Sequence, residues 1–596
     1  MTTETTRVLR RERLPVVGQT SHYAVRPHVQ SLLTALRPQW PVLAVVAFAV
    51  LLWVGSLLGA NPRQMDQLGL ISLCNVATAV ALVVLLVSFL VCLHQNRPGW
   101  LLGTHLVTYI ALIHGTPAVL YGTLRYAWAY KHVGIVDYIL RTGTVDPSIS
   151  VNAIYHNWPG FFAGSALLSS AAGQQNSLPI TLEMASWAPV AFNLMNLLVL
   201  RYLFRGLTRN RQLVWLALLF FFIINWVGQD YFSPQAMAYV LYLAVVGLLV
   251  RWVNDRTRNA LFVVIVAVVA ASHQITPMML FLAVSALVLL RRTRGRYVPI
   301  IAVGIISAWA FTAARDYTVD NIEGLIAGFT HPLSNAETTL DNSTSDSAAQ
   351  LLVLWGGRFT ACAATALAVL GAWRSWRQGT PRLTATILMI LPAALVVVAG
   401  FGGEAVLRAY LFAAPFIAFL AAEACFPWGR RALPFRNALV AVVAANLFVP
   451  GFLLSYYGKE QENYFTPAEV RTASWLDEHA TPGSLLVEGN TNYPNQFLDY
   501  EKFTYVPIDR EPGASVAEVL DHPAGELDEW LSNPRYTNSY VLITRSQKIA
   551  TTDEHTLPVG GLERVEQALR RSPRFQVLYQ TRDATVFTLA PRDGGP

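Results

Sequence analysis

The sequence predicts a polytopic α-helical membrane bundle of about 13 transmembrane helices, followed by a C-terminal extracytoplasmic α/β domain. Hydrophobic residues make up 54% of the 596 residues and charged residues only 14%, whereas an average soluble protein is about 25% charged. A chain this apolar cannot cover its own surface with polar groups, but lipid can solvate its outside. Apolar runs recur along the chain, and most approach the ~20 residues that a membrane-spanning helix needs.

The predicted spans divide the chain into three regions. Residues 1–40 form a basic cytoplasmic tail, 41–458 form the transmembrane domain, and 459–596 form the soluble domain. Within the transmembrane domain, two large outer loops are predicted at 123–184 and 315–349. The thirteen apolar runs lie near residues 41–59, 70–93, 101–122, 185–206, 212–228, 234–252, 259–272, 276–291, 298–315, 350–373, 382–401, 405–426 and 437–456.

The loops between these runs determine the predicted orientation. Arg-rich loops alternate with acidic or neutral ones along the whole chain. Because loops rich in Lys and Arg stay in the cytoplasm, the alternation predicts an odd number of spans, a cytoplasmic N-terminus and an extracytoplasmic C-terminal domain. Residues 259–291 can also form a re-entrant pair around His273. The protein is thus expected in the cell membrane.

The net charge of +7 does not indicate a nucleic-acid partner. The arginines stand in short clusters between apolar runs and form no single basic patch. The four cysteines lie in or beside apolar runs, and none has a metal-like spacing. They are interpreted as small buried hydrophobic residues.

The chain changes character from about residue 465, where charged residues become regular. Residues 466–480 read as a helix, with Thr466 as N-cap and a proline at the first helical position. Residues 484–489 and 539–544 read as buried strands and 561–571 as a helix. The final segments, 575–580 and 584–590, predict a β-hairpin. The alternation of helix and strand indicates a small α/β domain.

Unusual polar residues gather in the predicted outer segments. These segments are 123–162, 225–235, 271–277, 314–324 and 402–408. Ionisable groups at membrane depth are costly, so each is a candidate for function. The one-sided distribution favours chemistry at the outer face over a path through the membrane.

The residue types suggest particular roles. Asp137 and Asp230 are the candidate catalytic residues, since a carboxylate can take a proton from an acceptor hydroxyl or bind a divalent metal. Arg408, Lys131 and Arg125 are candidates for binding a lipid phosphate. The supporting candidates, which can transfer protons, bind phosphate or stack on sugar rings, are His132, His156, His273, Glu404, Tyr130, Trp158, Tyr231 and Gln235.

Structural roles remain open for the same residues. Asp137 can lie idle on the polar face of an interfacial helix, and Asp230 can simply cap the helix that follows. His273 can satisfy backbone carbonyls at its turn. Glu404 and Arg408, at i and i+4, can form a self-contained ion pair.

Four short motifs carry a resemblance to a known family. They are YKHVG at 130–134, DYFSPQ at 230–235, SHQITP at 272–277 and GGEAVLR at 402–408. With the helix and hairpin of the C-terminal domain, they make the chain resemble the GT-C superfamily of polytopic membrane glycosyltransferases, which use polyprenyl-phosphate-linked sugars. The resemblance covers most of the chain after about residue 100.

The resemblance implies an extracytoplasmic active site. A carboxylate acting as base or metal ligand is carried over onto Asp137, with Asp230 as its partner, and the phosphate-binding role onto Arg408. In many members the catalytic loop follows the first span and holds paired acids. Here it follows the third predicted span, and Asp137 has no acidic neighbour. The base therefore stays open, as does a divalent cation such as Mg²⁺ or Mn²⁺.

The resulting hypothesis is an inverting glycosyltransferase of the cell envelope. It transfers a sugar from a polyprenyl-phosphate donor to an extracytoplasmic glycan, lipid or protein acceptor. One alternative is a transporter or polymerase-like protein for lipid-linked glycans, which predicts polar residues through the membrane midplane. Another is a non-catalytic cell-envelope scaffold, which predicts that the acidic turns tolerate substitution.

Overall fold

The computed structural model describes residues 39–173, 177–251, 255–293, 295–322, 347–395, 404–426 and 432–591. Several predictions fall outside them, namely the basic tail before residue 39, most of the outer loop 315–349, and the glycines that open GGEAVLR at 402–408. The side chain of Glu404 also lies outside the described part.

The N-terminal two thirds of the chain are helical. The helices, labelled α1 to α19 in order, are Trp40–Leu57, Val76–His94, Gly99–Tyr121, Ala127–Thr142, Ala153–Asn157, Gly160–Ala172, Ser177–Leu207, Arg211–Ile224, Pro234–Val250, Arg256–Ser272, Ile275–Leu289, Val298–Phe311, Arg315–Asp320, Ala348–Arg377, Leu383–Ile390, Glu404–Ala424, Phe435–Tyr457, Glu460–Asn463 and Pro467–His479. A helix therefore occupies each of the thirteen predicted apolar runs.

Within the part of the chain that the structure describes, six helices are long and apolar enough to cross a membrane: α1, α2, α7, α14, α16 and α17. Several other apolar helices are shorter, so the number of spans remains a prediction. Large apolar side chains are exposed on the outside of the bundle, such as Leu51 at 69% and Leu289 at 82%. Such surface is stable in lipid, where backbone polar groups are satisfied within each helix. The chain is an integral membrane protein.

The centre of the bundle is formed by α8 and α16, whose side chains are almost all buried. On α16 the rings of Phe412, Phe416 and Phe419 have no exposed area. Its partner α14 approaches so closely at Gly371 that a Cβ there would overlap the carbonyl oxygen of Leu420. The predicted apolar runs thus fold around a dense core, as their composition requires.

The C-terminal part contains a five-stranded sheet. Its strands are β1 (Leu485–Glu488), β2 (Thr504–Pro507), β3 (Ser539–Thr544), β4 (Phe575–Gln580) and β5 (Ala584–Leu589). Their order is β2-β1-β3-β5-β4, with β2, β1 and β3 parallel and the terminal hairpin antiparallel. Helices α20 to α23 complete the α/β domain and are Gly513–Asp521, Pro523–Leu531, Arg545–Asp553 and Gly561–Arg571.

The predicted elements of this domain are confirmed. Helix α19 begins with a capping box, in which Thr466 and Glu469 each bond the other's backbone N–H. The two predicted buried strands are β1 and β3, and the predicted hairpin is β4–β5.

Helix α4 lies between the bundle and the sheet domain. Gly134 on α4 faces the 496–497 backbone so closely that a Cβ would overlap the carbonyl oxygen of Phe497. Further along α4, Arg141 forms ion pairs with Glu501 and Asp499, each at 3.1 Å. The domain therefore rests directly on this helix.

A buried acid of the domain faces the same helix. Glu488, at the end of β1, accepts a 2.6 Å hydrogen bond from the hydroxyl of Tyr493. Burial is the main reason that its pKa rises to about 7, and the nearby charge of Lys131 only partly opposes this rise. Burial also lowers the pKa of Lys131 to about 8. At neutral pH this junction therefore holds two groups close to their titration points.

We expect the junction to lose stability as the pH rises. Since the folded pKa of Glu488 is about 7 and its ordinary value is 4.5, its contribution is complete below about pH 4.5 and is lost as pH rises through 7. Glu488→Gln should make the melting temperature less dependent on pH between 5 and 8, because glutamine does not titrate.

The measurement is a thermal melt of wild-type and variant protein in detergent at several pH values. Glu462, whose pKa burial also raises to about 7, titrates with the same sign, so the difference between the two proteins isolates Glu488. Glu501→Gln serves as a control, because Glu501 also contacts α4, through its ion pair with Arg141. Parallel pH curves for wild type and Glu488→Gln would contradict the prediction.

Candidate active site

A polar cavity of about 240 Å³ lies in the bundle beside α4. Four of the five polar segments singled out in the sequence line it, and the fifth reaches its edge, where Tyr317 packs against Trp158. The lining residues are Tyr126, Trp128, His132, Ile154, Tyr155, Trp158, Gly228, Gln229, Tyr231, Ser233, Pro234, Gln235, Ser272, His273, Gln274 and Arg408.

Six of the predicted site residues meet in this cavity. They are His132, Trp158, Tyr231, Gln235, His273 and Arg408. They come from four separate parts of the chain. These are the segment from α4 to the end of α5, the α8–α9 turn, the α10–α11 turn and α16. Convergence of distant polar residues on one cavity is typical of a binding or catalytic site.

His132 is held in one tautomer inside this cavity. Its Nδ1 lies 2.7 Å from the carbonyl oxygen of Phe232, so Nδ1 must carry the hydrogen and donate it. Nε2 then has a bare lone pair, and it is buried with no hydrogen-bond partner. The ring stacks parallel to Tyr231 at 5.7 Å. Burial lowers the pKa of His132 to about 3, so the imidazole is neutral at pH 7.

His273 has the opposite tautomer. It ends α10, and its Nδ1 accepts the backbone N–H of Thr276 at 3.1 Å, which fixes the turn into α11. Nδ1 is therefore without a hydrogen, and in the neutral ring Nε2 carries it. Burial and the charge of Arg408 lower the pKa of His273 to about 3. The sequence left open that His273 satisfies backbone carbonyls at this turn; its Nδ1 accepts a backbone N–H instead, and the residue also lines the cavity.

Other residues of the cavity wall have polar atoms without hydrogen-bond partners. Nε2 of Gln235 and Oγ of Ser272 are buried without a hydrogen-bond partner. Tyr126 adopts a φ of 71°, which is rare for a residue with a side chain. Its ring packs under the guanidinium of Arg125 at 4.5 Å. Unpartnered polar atoms and backbone strain at one place are typical of a site built for a ligand.

Asp230 belongs to a buried network next to the cavity. Its carboxylate lies 2.8 Å from Nδ1 of His114 and accepts hydrogen bonds from Tyr456 and from Asn193, the latter at 2.7 Å. Burial acts to raise its pKa, but the charges of His114 and Arg125 more than offset this, and the pKa stays below its ordinary value. Asp230 is thus an ionised acid that fixes the α8–α9 turn.

A small second cavity lies beside Asp230. It is lined by Asp230, Asn196 and Asn225, and Gln229 lines both this cavity and the main one. The side-chain oxygens of Asn196 and Asn225 are buried there without partners. The space is polar and of about 10 Å³, close to the least that one water needs. Gln229 is therefore the wall residue that the two cavities share.

Asp137 lies on a different side of α4. Its carboxylate accepts a 2.7 Å hydrogen bond from Nε of Arg141, which also pairs with the sheet domain. Burial raises the pKa of Asp137 despite this ion pair. The sequence left open that Asp137 lies on the polar face of an interfacial helix without a catalytic role. The structure is close to that alternative, although Asp137 is buried against the domain.

Two predicted phosphate ligands are occupied elsewhere. Arg125 bonds Glu460 at 2.8 Å and the carbonyl oxygen of Tyr456 at 2.6 Å, and it is 7% exposed. Lys131 is buried with its Nζ 4.4 Å from the ring centre of Trp128. Neither residue lines the cavity, so Arg408 is the predicted phosphate ligand that does.

Two supporting candidates serve the framework. Nδ1 of His156 accepts the backbone N–H of Asp146, so in the neutral ring Nε2 carries the hydrogen and donates it to the hydroxyl oxygen of Tyr500 in the sheet domain at 2.6 Å. Tyr130 is fully buried, and its hydroxyl accepts the backbone N–H of Leu124. Both therefore help to seat the domain and the loop before α4.

The donor set of the cavity does not fit a divalent metal. None of its described lining residues is an aspartate or glutamate, whereas Mg²⁺ and Mn²⁺ prefer oxygen ligands with carboxylates among them. Asp137 and Asp230 share no partner. Across the described residues, no three His, Cys, Asp or Glu side chains form a metal-binding group.

Comparisons with known proteins give structural matches but no sequence matches. Neither a protein-family description nor a curated protein matches the chain. The solved structures include ArnT from Cupriavidus metallidurans bound to undecaprenyl phosphate, with a TM-score of 0.45, 14% identity, and coverage of 84% of this chain and 99% of that one.

A second similar structure is the Archaeoglobus fulgidus oligosaccharyltransferase tethered to an acceptor peptide. It has a TM-score of 0.45 and 13% identity, and the match covers 82% of this chain and 72% of that chain. The same enzyme with Zn and sulfate matches with a TM-score of 0.43. Since these scores lie below 0.5, the function must be argued from the residues of the cavity.

Sequence reasoning missed several wall residues. Gln229 precedes Asp230 in the same turn, and Ser272 precedes His273, so both were within the motifs already noticed. Tyr126 offered no signal beyond its place in an aromatic-rich loop. The fold and the cavity define an integral membrane protein with a polar, aromatic-lined site beside its C-terminal α/β domain.

Proposed function

We propose that the protein is a membrane glycosyltransferase that moves a sugar from a polyprenyl-phosphate donor to an extracytoplasmic glycan, lipid or protein acceptor. The observation that carries the proposal is the composition of the cavity. Aromatic rings suited to sugar faces, a guanidinium suited to phosphate, and unpartnered polar atoms line one space. That space opens in a bundle whose outer helices can hold a lipid tail.

Each part of the donor finds a matching group in this proposal. Arg408 binds the phosphate, because a guanidinium forms a charged fork to phosphate oxygens. Trp128, Tyr155 and Trp158 offer flat amphipathic faces to the sugar. The polyprenyl tail lies along lipid-exposed helices, since an apolar chain gains nothing by entering a polar cavity.

Asp230 is the carboxylate that the proposal assigns to the reaction. Its turn supplies Gln229 and Tyr231 to the cavity wall, and its negative charge lies next to the small second cavity. Asp137 is the weaker candidate, because Arg141 and the sheet domain already engage it. A single displacement at the anomeric carbon gives the inverting outcome, and no metal is required for it.

The test is transfer by purified protein from a panel of polyprenyl-phosphate sugars. We expect Asp230→Asn to lower the rate by about 10²-fold, because its carboxylate holds the turn that supplies cavity residues, and a displacement of about 1 Å can cost that much. Asp137→Asn, the matched control, should stay within about threefold of wild type.

The outcomes separate the assignments. Full activity in Asp230→Asn would remove the role of Asp230, and a large loss in Asp137→Asn alone would move the role to that residue. Absence of transfer by the wild type with every donor and acceptor class would overturn the proposed function.

A further inference from the structure

Two neutral imidazoles of opposite hydrogen-bonding character face the same cavity. Nε2 of His132 can only accept a hydrogen bond, because Nδ1–H is committed to the carbonyl oxygen of Phe232. Nε2 of His273 can only donate one, because Nδ1 accepts from the backbone of Thr276. Backbone groups fix both tautomers, so the protein presents one acceptor and one donor before any ligand binds.

The surroundings of His132 explain why its lone pair is left bare. The rings of Tyr155, Phe162 and Tyr231 pack around the imidazole, with centroids 5.0 to 5.7 Å away. Aromatic rings keep water out but supply no donor to Nε2. A buried acceptor without a partner is costly, so its retention in a cavity wall points to a ligand that donates to it.

We propose that His132 is the proton acceptor of the transfer reaction, taking the proton of the attacking acceptor hydroxyl at Nε2, and that His273 stabilises the leaving phosphate with a hydrogen bond from its Nε2–H, which it keeps. This inference rests on the proposed function and assigns the chemistry of the same site. It differs from the assignment made from sequence, which gave the role of base to a carboxylate.

The step balances without any further reactant. The hydroxyl oxygen of the acceptor forms a bond to the anomeric carbon, and its proton moves to Nε2 of His132. The bond from the anomeric carbon to the phosphate oxygen breaks, and its electron pair leaves with the polyprenyl phosphate. The imidazolium then returns its proton to water or to the released phosphate.

Burial of His132 suits this role only when the donor is bound. A neutral imidazole with a lowered pKa accepts a proton poorly in the empty cavity. The negative phosphate, held by Arg408 beside His273, stabilises the imidazolium and raises that basicity. Asp230 then acts as a positioning residue, since its turn carries the Phe232 carbonyl that orients His132.

The experiment uses asparagine substitutions, which keep the backbone bond and delete only Nε2. In His132→Asn the amide N–H can still donate to Phe232, and in His273→Asn the amide oxygen can still accept from Thr276. We expect His132→Asn to lose about 10²- to 10⁴-fold in kcat, with little change in the affinity for polyprenyl phosphate. His273→Asn should weaken that affinity as well.

His94→Asn is the matched control. Its Nδ1 also bonds a backbone carbonyl, that of Leu433 at 3.0 Å, but it lies outside the cavity. We expect wild-type activity from it. Added imidazole should restore part of the rate of His132→Ala, which a purely structural role would not explain.

The kcat of His132→Asn and the activity of the wild type distinguish a failure of this inference from a failure of the proposed function. Wild-type kcat in His132→Asn, with an active wild type, would overturn the role of His132 and leave the function standing. Should the variants fold poorly, ¹⁵N spectra of labelled wild-type protein decide the tautomer: a protonated Nε2 on His132 would overturn the inference. A wild type inactive toward every donor would overturn both.

Discussion

Glu460→Ala is expected to remove most of the folded protein from the membrane fraction. Glu460 is 1% exposed and pairs with Arg125, which is itself 7% exposed. Its second carboxylate oxygen accepts a 2.7 Å hydrogen bond from Tyr121. Removing one member of a buried pair leaves the other as an uncompensated charge and costs about 3–5 kcal/mol. That is a large part of the ~5–15 kcal/mol that stabilises a typical protein.

The measurement is the yield of monodisperse protein and its melting temperature in detergent. Arg315→Ala is the control, since its pair with Asp316 joins side chains that are 68% and 82% exposed and should contribute only about 0–1 kcal/mol. Replacing both members, Arg125→Met with Glu460→Leu, should restore the yield. A normal yield of Glu460→Ala would contradict the expectation.

The double replacement also tests the role predicted for Arg125 from sequence. If the doubly substituted protein folds but no longer binds polyprenyl phosphate, Arg125 belongs to the donor-binding site as the sequence predicted. We expect binding to persist, because the guanidinium is already committed to Glu460 and the Tyr456 carbonyl.

Arg408→Ala is expected to lower kcat/KM for transfer by about 10²-fold. Hydrogen bonds to charged groups contribute about 1.5–3 kcal/mol, and each 1.4 kcal/mol is a factor of ten. Since Arg408 lines the cavity next to His273, its loss should weaken phosphate binding in both the ground state and the transition state. Arg408→Lys should recover only part of the loss, because an ammonium keeps the charge but not the fork.

The measurement combines transfer kinetics with the Kd for polyprenyl phosphate. Arg358→Ala is a matched control: this half-buried arginine lies on α14 against Trp355, outside the cavity wall. Equal effects in the two variants would indicate a general loss of membrane charge. An unchanged Kd in Arg408→Ala would remove Arg408 from the phosphate site.

The sequence was a good guide wherever a local pattern determines the structure. Apolar length predicted the helices, and the T-P-x-E pattern at 466–469 predicted the start of α19. Strand β2, at Thr504–Pro507, was missed because it is a half-exposed edge strand without an apolar run. The number of spans stays a prediction, since short buried helices and true spans have similar composition.

Long-range pairs could not be read from the sequence. Arg125 had the residue type of a phosphate ligand, but its partner Glu460 lies 335 residues further on. Asp137 was predicted as a candidate catalytic residue, and that role stays a prediction. The sequence could not show its surroundings, because the domain residue Glu501 that pairs with its partner Arg141 lies 360 residues beyond Arg141. His132 and His273 were found because an ionisable side chain at membrane depth is energetically costly and is therefore a candidate for function. Their tautomers could be assigned only from the positions of the Phe232 carbonyl and the Thr276 N–H.

The seating of the C-terminal domain on α4 has a consequence for evolution and engineering. Consecutive residues of this helix serve two neighbours, with Lys131 near Glu488 of the domain and His132 in the cavity wall. Chimeras that exchange the bundle and the domain between related chains at residue 458 would separate Arg125 from Glu460. The smallest exchangeable unit therefore includes Arg125 and α4 together with the domain, although about 320 residues separate Thr142 from Glu460.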